Sequence, residues 1–366
     1  MAEEQRDLAD AYARAGVDAA AEESGLAGLL RWLRPTLRPA GLGSSRVPFG
    51  YFATVLDLGD GRGLALTTDG VGSKVLVAQM VDRYDTVGID CVAMNVNDLL
   101  CVGAEPLAMV DYIAVQQMHP RLLDELGRGL AEGARQAGIS IPGGEIAQLR
   151  EVVRGVRDGW AFDLAGAAVG LVRLDDIVIG QAVEPGDALL GLASSGIHSN
   201  GLTLARRALF QQGGLSPGAV VTELGRSVGE ELLEPTRIYV AAVRALRAAG
   251  VAIRALCHLT GDGWLNLARV AAPVGFAVDW LPEPPPIFQA IQRLGSIADA
   301  EMYQVFNMGI GFAVVVPPDE ADRAAAILQS AGYPAWLLGR AVGDPERRVQ
   351  LAPLGLIGEG HAVRPA

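Results

Sequence analysis

Apolar residues recur at helical spacing from Pro120 to Ala137, where Leu122, Leu123, Leu126, Leu130 and Ala134 share one side and Gly138 follows as a cap. The same reasoning predicts helices over residues 3–15, Gly25 to Leu37 (stopped by Pro35 and Pro39), Thr86 to Val102, Leu202 to Phe210, Glu230 to Ala249, Ile287 to Leu294 and Asp319 to Ala331. Alternation over Tyr51 to Leu58 and Gly63 to Thr68, with Gly59-Asp60-Gly61 between, predicts a hairpin. Buried or strand-like runs follow at Leu107 to Val115, toward Ile141, Asp163 to Arg173, Ala188 to Ala193, Ala252 to His258, Gly275 to Trp280, Gly309 to Val316 and Ala335 to Ala341. Gly41 to Gly50 reads as a loop carrying Arg46. The run Pro282 to Pro286 reads as a stiff connector, and the tail beyond Pro353 carries little pattern.

Strands and helices are mixed in both halves, so the fold class is α/β (α+β). Gly-rich turns punctuate the strand ends. The segment Leu174 to Gly186 divides the chain into an N-terminal domain, 1–174, and a C-terminal domain, 175–366. A length of 366 residues fits two such domains.

Composition narrows the partners. A net charge of −12 argues against nucleic acid or an anionic membrane, both of which need a basic face. Phosphates would have to be held locally, by backbone N–H groups, a few cations and a divalent metal. Cys91, Cys101 and Cys257 have no CxxC spacing and sit among apolar neighbours, as buried thiols of a cytoplasmic protein do. The N-terminal segment lacks the apolar stretch of a signal peptide, and no run reaches the ~18 residues of a membrane span.

Asp69-Gly70-Val71-Gly72-Ser73-Lys74 puts a carboxylate, two permissive glycines, a hydroxyl and an ammonium within one turn. Such a turn suits a phosphate and a cation, although the Walker spacing is absent. Lys74 is the only lysine among 30 basic residues. On the helix that follows, a rotation of ~100° per residue gathers Asp90, Asn97 and Asp98 on one polar face among apolar positions. Buried carboxylates call for a cation or a donor. Asn95 reads as an internal hydrogen-bonding group. His198, among Ser194, Ser195, Ser199 and Asn200, and His258, with Asp262, both lie in Gly-rich turns. The former suits anion binding and the latter substrate or metal, each against a structural turn. His119 and His361 read as solvated groups.

Asp98-x-x-x-x-Gly103-Ala104-x-Pro106, preceded by DGVGSK, resembles the signature of the aminoimidazole ribonucleotide synthetase (phosphoribosylformylglycinamidine cyclo-ligase) family. AYARAGVD (11–18), GGE (143–145), GLASSGIHSNGL (191–202), LLEPTRIYV (232–240), HLTGDG (258–263) and EMYQVFNMGIGF (301–312) follow in that family's order. The resemblance implies ATP-dependent ring closure of formylglycinamidine ribonucleotide with release of ADP and phosphate. It also implies a homodimer whose N-terminal domains share a β-barrel. It assigns ATP contacts to Asp69, Gly70, Gly72, Ser73, Lys74, Asn97, Gly143, Gly144, Glu145, Ser195, Asn200 and Asn307. Mg²⁺ would be held by Asp69 and Asp98, joined by Glu145 and Asp262, while Lys74, Asp98, His198 and His258 carry the catalytic roles. Two departures stand out. Many members read GGETAEMPG where this chain has Gly143-Gly144-Glu145-Ile146-Ala147-Gln148, and TGGG where it has TGDG, so Asp262 is a candidate replacement carboxylate. The alternatives are another ATP-dependent member of the superfamily, such as a thiamine-phosphate kinase, or a catalytically silent nucleotide-binding protein.

Overall fold

A computed structural model describes residues 19–366; the helix expected over residues 3–15 and the segment AYARAGVD lie outside the described residues. The first helix runs Ala19–Leu33 and tightens into a 3₁₀ turn, Arg34–Thr36, at Pro35. The hairpin forms as expected, from β1 (Thr54–Asp57) and β2 (Arg62–Gly70). These join β3 (Glu105–Val115), β4 (Ser140–Gln148) and β5 (Phe162–Arg173) in a five-stranded sheet of order β1-β2-β5-β3-β4. Only the β3–β4 pair is parallel.

One face of this sheet carries the helices Val87–Cys101 and Pro120–Ala137. Their apolar residues, with alternate positions of β5 (Phe162, Leu164, Ala168, Val172), form its core. The other face is bare. Leu107, Val110 and Tyr112 of β3 are each more than two-fifths exposed, so the expectation of a buried strand holds for only one of its faces. The GGE segment is also corrected. It is not a turn but the middle of the edge strand β4, where Gly144 lies opposite Asp111 in register. A Cβ at Gly144 would sit about 2.6 Å from the Asp111 carboxylate, so a larger residue there would displace that side chain.

The second sheet has eight strands: β6 (Ala188–Ala193), β9 (Ala255–His258), β10 (Val274–Val278), β11 (Ile310–Val316), β12 (Ala335–Gly343), β13 (Val349–Leu351), β14 (Leu356–Glu359) and β15 (Ala362–Pro365). Two short strands, β7 (Val220–Val221) and β8 (Arg226–Ser227), pair apart from it. The tail beyond Pro353 is ordered sheet: β14 pairs with β13 and β15, and Leu356, Gly358 and Val363 face inward. Leu202–Arg206 continues as a π-helical turn to Gln212, and a helix at Asp299–Val305 was not foreseen.

The long helix expected over Glu230 to Ala249 is broken in two, Val228–Leu232 and Val240–Ala248. Pro235 lacks the N–H that would continue the first piece and biases Glu234 away from helical geometry. The stretch between the pieces, Leu233 to Tyr239, runs beside the helix Val87–Cys101 and leaves its backbone groups free to bond across the two sheets' layers. Among the described residues no helix is long and apolar enough to cross a membrane.

Candidate active site

The Gly-rich turn and the SSGIHSNG loop meet. Ser73 Oγ lies 3.0 Å from Thr203 Oγ1, and Gly72, at φ 67°, faces the Ser199 carbonyl. The TGDG turn abuts the same loop at Asn200, whose amide reaches Met94 of the helix Val87–Cys101. Three of the sequence motifs thus border one region between the two sheets.

Lys74 opens a helix, Lys74–Val81, and its side chain is fully buried. Its ammonium donates to Asp90 Oδ1 at 2.9 Å, to the Glu234 carbonyl at 2.6 Å and to the His198 carbonyl at 3.3 Å. An ammonium has three protons, and these acceptors take all three. Asp90 Oδ1 also accepts from the Thr236 N–H and hydroxyl, both at 2.7 Å. The structure therefore puts Lys74 at a buried junction of the two halves, with no proton left for a phosphate.

Asp98 and Asp69 occupy a different place. Asp98 Oδ1 accepts from His258 Nδ1 at 2.9 Å, while His258 Nε2 lies 3.4 Å from the Asn97 amide. Asn97 also donates to the Arg237 carbonyl and accepts from the Tyr239 N–H. Because Asn97 Nδ2 can only donate, His258 carries its proton on Nδ1, toward Asp98. Asp69 is largely buried, and burial first, then the negative charge of Asp98, pushes its carboxyl up to about 6. Asp69 and Asp111 both flank Gly166 in the sheet register, so they lie on one row of its helix-covered face, ~10 Å apart by strand spacing. Burial raises the Asp111 carboxyl as well. The Cys91 thiol, raised chiefly by burial, also feels Asp111 and Asp69.

The remaining expected residues are dispersed. His198 is buried in the left-handed region (φ 67°), its Nε2 accepting from the Ser195 N–H at 3.3 Å. Burial first, then the neighbouring His258 ring and the positive charges of Lys74 and Arg237, hold its imidazole well below the usual histidine range. Asn307 spends its amide on the loop: Oδ1 accepts from Ser194 and Gly309, and Nδ2 donates to the Gly196 and Ile197 carbonyls. Ser195 Oγ donates to the Pro235 carbonyl at 2.5 Å. Gly143 and Glu145 are exposed on β4, and Asp262 is exposed and ion-paired with Arg269. Among the described residues, no three acidic, histidine or cysteine groups converge as a metal cage. The four expected carboxylates are thus not assembled: Asp69 and Asp98 are neighbours, while Asp262 is engaged by Arg269. Thr236, Arg237, Tyr239 and Asp111 were missed as site residues. The signals were Pro235 inside a helical run and a charge in an apolar strand.

Residues 50–172 match AIR synthase related protein, N-terminal domain, and residues 184–352 match AIR synthase related protein, C-terminal domain. The chain belongs to the AIR synthase-related family. A phosphoribosylformylglycinamidine cyclo-ligase from Methanothermobacter thermautotrophicus is 47% identical over 323 residues, which is 88% of this chain and 92% of that protein. The protein of the same name from Thermococcus kodakarensis is 45% identical, covering 93% of this chain and 97% of its own length. Among solved structures, thiamine-monophosphate kinase from Stenotrophomonas maltophilia superposes with a TM-score of 0.59 at 21% identity, over 84% of this chain and 90% of that one. E. coli HypE, a hydrogenase maturation protein, gives 0.57 at 20% identity, over 81% and 85%. At such identities these neighbours share the fold alone.

Proposed function

We propose that this family member is a phosphoribosylformylglycinamidine cyclo-ligase, closing the imidazole ring of formylglycinamidine ribonucleotide with ATP and releasing ADP and phosphate. The observation that carries the reading is identity of 42–47% to proteins of that name over 87–93% of the chain. The thiamine-monophosphate kinase likeness, at 21%, does not compete with it.

ATP and Mg²⁺ fit the donor set. Two crowded carboxylates, one of them pushed up to about 6, gain from a divalent cation, and Mg²⁺ needs only one or two protein carboxylates beside phosphates and water. When bound, Mg²⁺ would neutralise charge on the triphosphate. Asp69 and Asp98 would hold it. His258 donates its Nδ1 proton to Asp98 and fixes that carboxylate's direction, and Asn97 fixes His258 in turn. These two are positioning residues, as is His198. Gly70, Gly72 and Ser73 would offer backbone and hydroxyl donors to phosphates, with Asn200 across the gap. Lys74 would set the alignment of the two halves, while Ser195 and Asn307 brace the SSGIHSNG loop from within the C-terminal half. Gly143, Gly144 and Glu145 would reach a nucleotide only along the exposed edge β4.

The division at 174/175 gives each sheet its own domain, the first holding ATP and metal and the second completing the substrate cleft. The bare apolar face of β3 suits a second copy, in a homodimer closing the two N-terminal sheets into a barrel. No membrane or nucleic-acid partner is invoked, and a cytoplasmic location accords with three buried thiols. The test is ADP release by the purified chain with and without formylglycinamidine ribonucleotide, with aminoimidazole product measured in parallel. ATP turnover indifferent to that substrate would refute the reading.

A further inference from the structure

Among the described residues, the Arg237 guanidinium makes no hydrogen bond or ion pair, and its Nη1 is buried without a partner. The nearby carboxylates are already engaged: Glu234 by Arg226 at 2.6 Å, Asp90 by Lys74 and Thr236, Asp98 by His258. Leaving a half-buried cation without a counter-charge is costly, so the site is complementary to an anion that the described residues do not supply.

The space is there. Arg237 lines a cavity of about 420 Å³ with Gln136, Ser195, Glu234, Thr236 and Tyr333, within the ~300–1,000 Å³ of small-molecule sites. The backbone that carries it is fixed on both sides. The Thr236 N–H is held by Asp90 and the Arg237 carbonyl by Asn97, while the Arg237 N–H points at His198 Nε2, 3.5 Å away. A guanidinium fork on a pinned backbone binds two oxygens of one group with little further ordering. The neighbouring hydroxyls are spent on Pro235 and Asp90, which leaves the fork as the charged donor.

We propose that Arg237 receives a phosphate monoester in this cavity. The proposal deepens the cyclo-ligase reading and rests on it for one point only, whether the phosphate belongs to the ribonucleotide substrate. A second phosphorylated ligand is the other source.

The experiment uses the full chain with ribose 5-phosphate as probe, by calorimetry, for wild type, Arg237→Gln, Arg237→Lys and, as control, Arg364→Gln at an exposed ion pair, with melting curves to confirm folding. Loss of a charge-assisted fork is expected to weaken binding about tenfold or more in Arg237→Gln, and less in Arg237→Lys, with Arg364→Gln unaffected. A matching rise in KM for formylglycinamidine ribonucleotide at near-constant kcat assigns the phosphate to the substrate. An unchanged KM beside lost ribose 5-phosphate binding assigns it to a separate ligand, and the site stands. No binding by wild type, or equal binding by a folded Arg237→Gln, overturns it. Absence of cyclo-ligase turnover would refute the functional reading and leave the calorimetry to decide the site.

Discussion

Replacing Lys74 with methionine separates two roles that the sequence cannot distinguish. Methionine keeps the length and apolar stem but removes the ammonium, leaving Asp90 fully buried beside Thr236 alone and the His198 and Glu234 carbonyls without their donor. Breaking a buried ion pair from one side costs roughly 3–5 kcal/mol, because the remaining charge stays desolvated. Asp90→Asn leaves the ammonium uncompensated and is expected to cost somewhat less, since its oxygen still accepts from Lys74 and Thr236. In the double variant no lone charge remains, so the losses should fall short of additive by about 2 kcal/mol or more. Urea denaturation of the four proteins, followed by far-UV circular dichroism and tryptophan fluorescence, measures the cycle. Fluorescence and dichroism should separate if the two halves part before each unfolds. A Lys74→Met protein with wild-type denaturation and abolished turnover would refute the junction role and return the lysine to the transferring phosphate.

Three further outcomes follow from the same geometry. Asp69, raised to about 6, loses folded-state stability as pH climbs from its unfolded value near 3.8 through 6, by at most roughly 3 kcal/mol above that. Asp69→Asn should therefore be more stable than wild type at pH 7.5 and equal at pH 3.5, yet lose any Mg²⁺-dependent rise in Tm; a variant that melts lower at both pH values contradicts this. His198, depressed in the folded state, contributes stability that is complete above its unfolded value near 6.5 and falls away as pH drops below it. His198→Asn, which tolerates φ 67°, should flatten that acid-side loss, and an unchanged pH profile would show that the imidazole is not held neutral. Tyr112→Glu on the bare sheet face should leave Tm of a dilute sample nearly unchanged but shift sedimentation from dimer to monomer, and a monomeric wild type would remove the shared barrel.

The fold was legible where pattern and propensity agree. Pro120–Ala137 has one apolar stripe, a proline in its first turn and Gly138 at φ 66°, and it forms with the expected bounds. Legibility failed where tertiary contact outweighs local preference. The GGE glycines look like a turn, but Gly144 is small because the Asp111 carboxylate lies against it, a strand register away and more than thirty residues earlier in the chain. The stretch Glu230 to Ala249 has helical spacing throughout, and Pro235 alone breaks it. That break is what frees the Glu234 carbonyl for Lys74 and the Thr236 N–H for Asp90, so the broken helix and the buried position of Lys74 have one cause. Motif reading expects ligand contacts from these segments, and it does not reveal the internal hydrogen bonds that Lys74, Asn97 and Asn307 make. Among the described residues, the crowded Asp69 carboxylate and the unpartnered Nη1 of Arg237 keep unspent capacity of opposite charge, which is what the proposed Mg·ATP and phosphorylated substrate would call for.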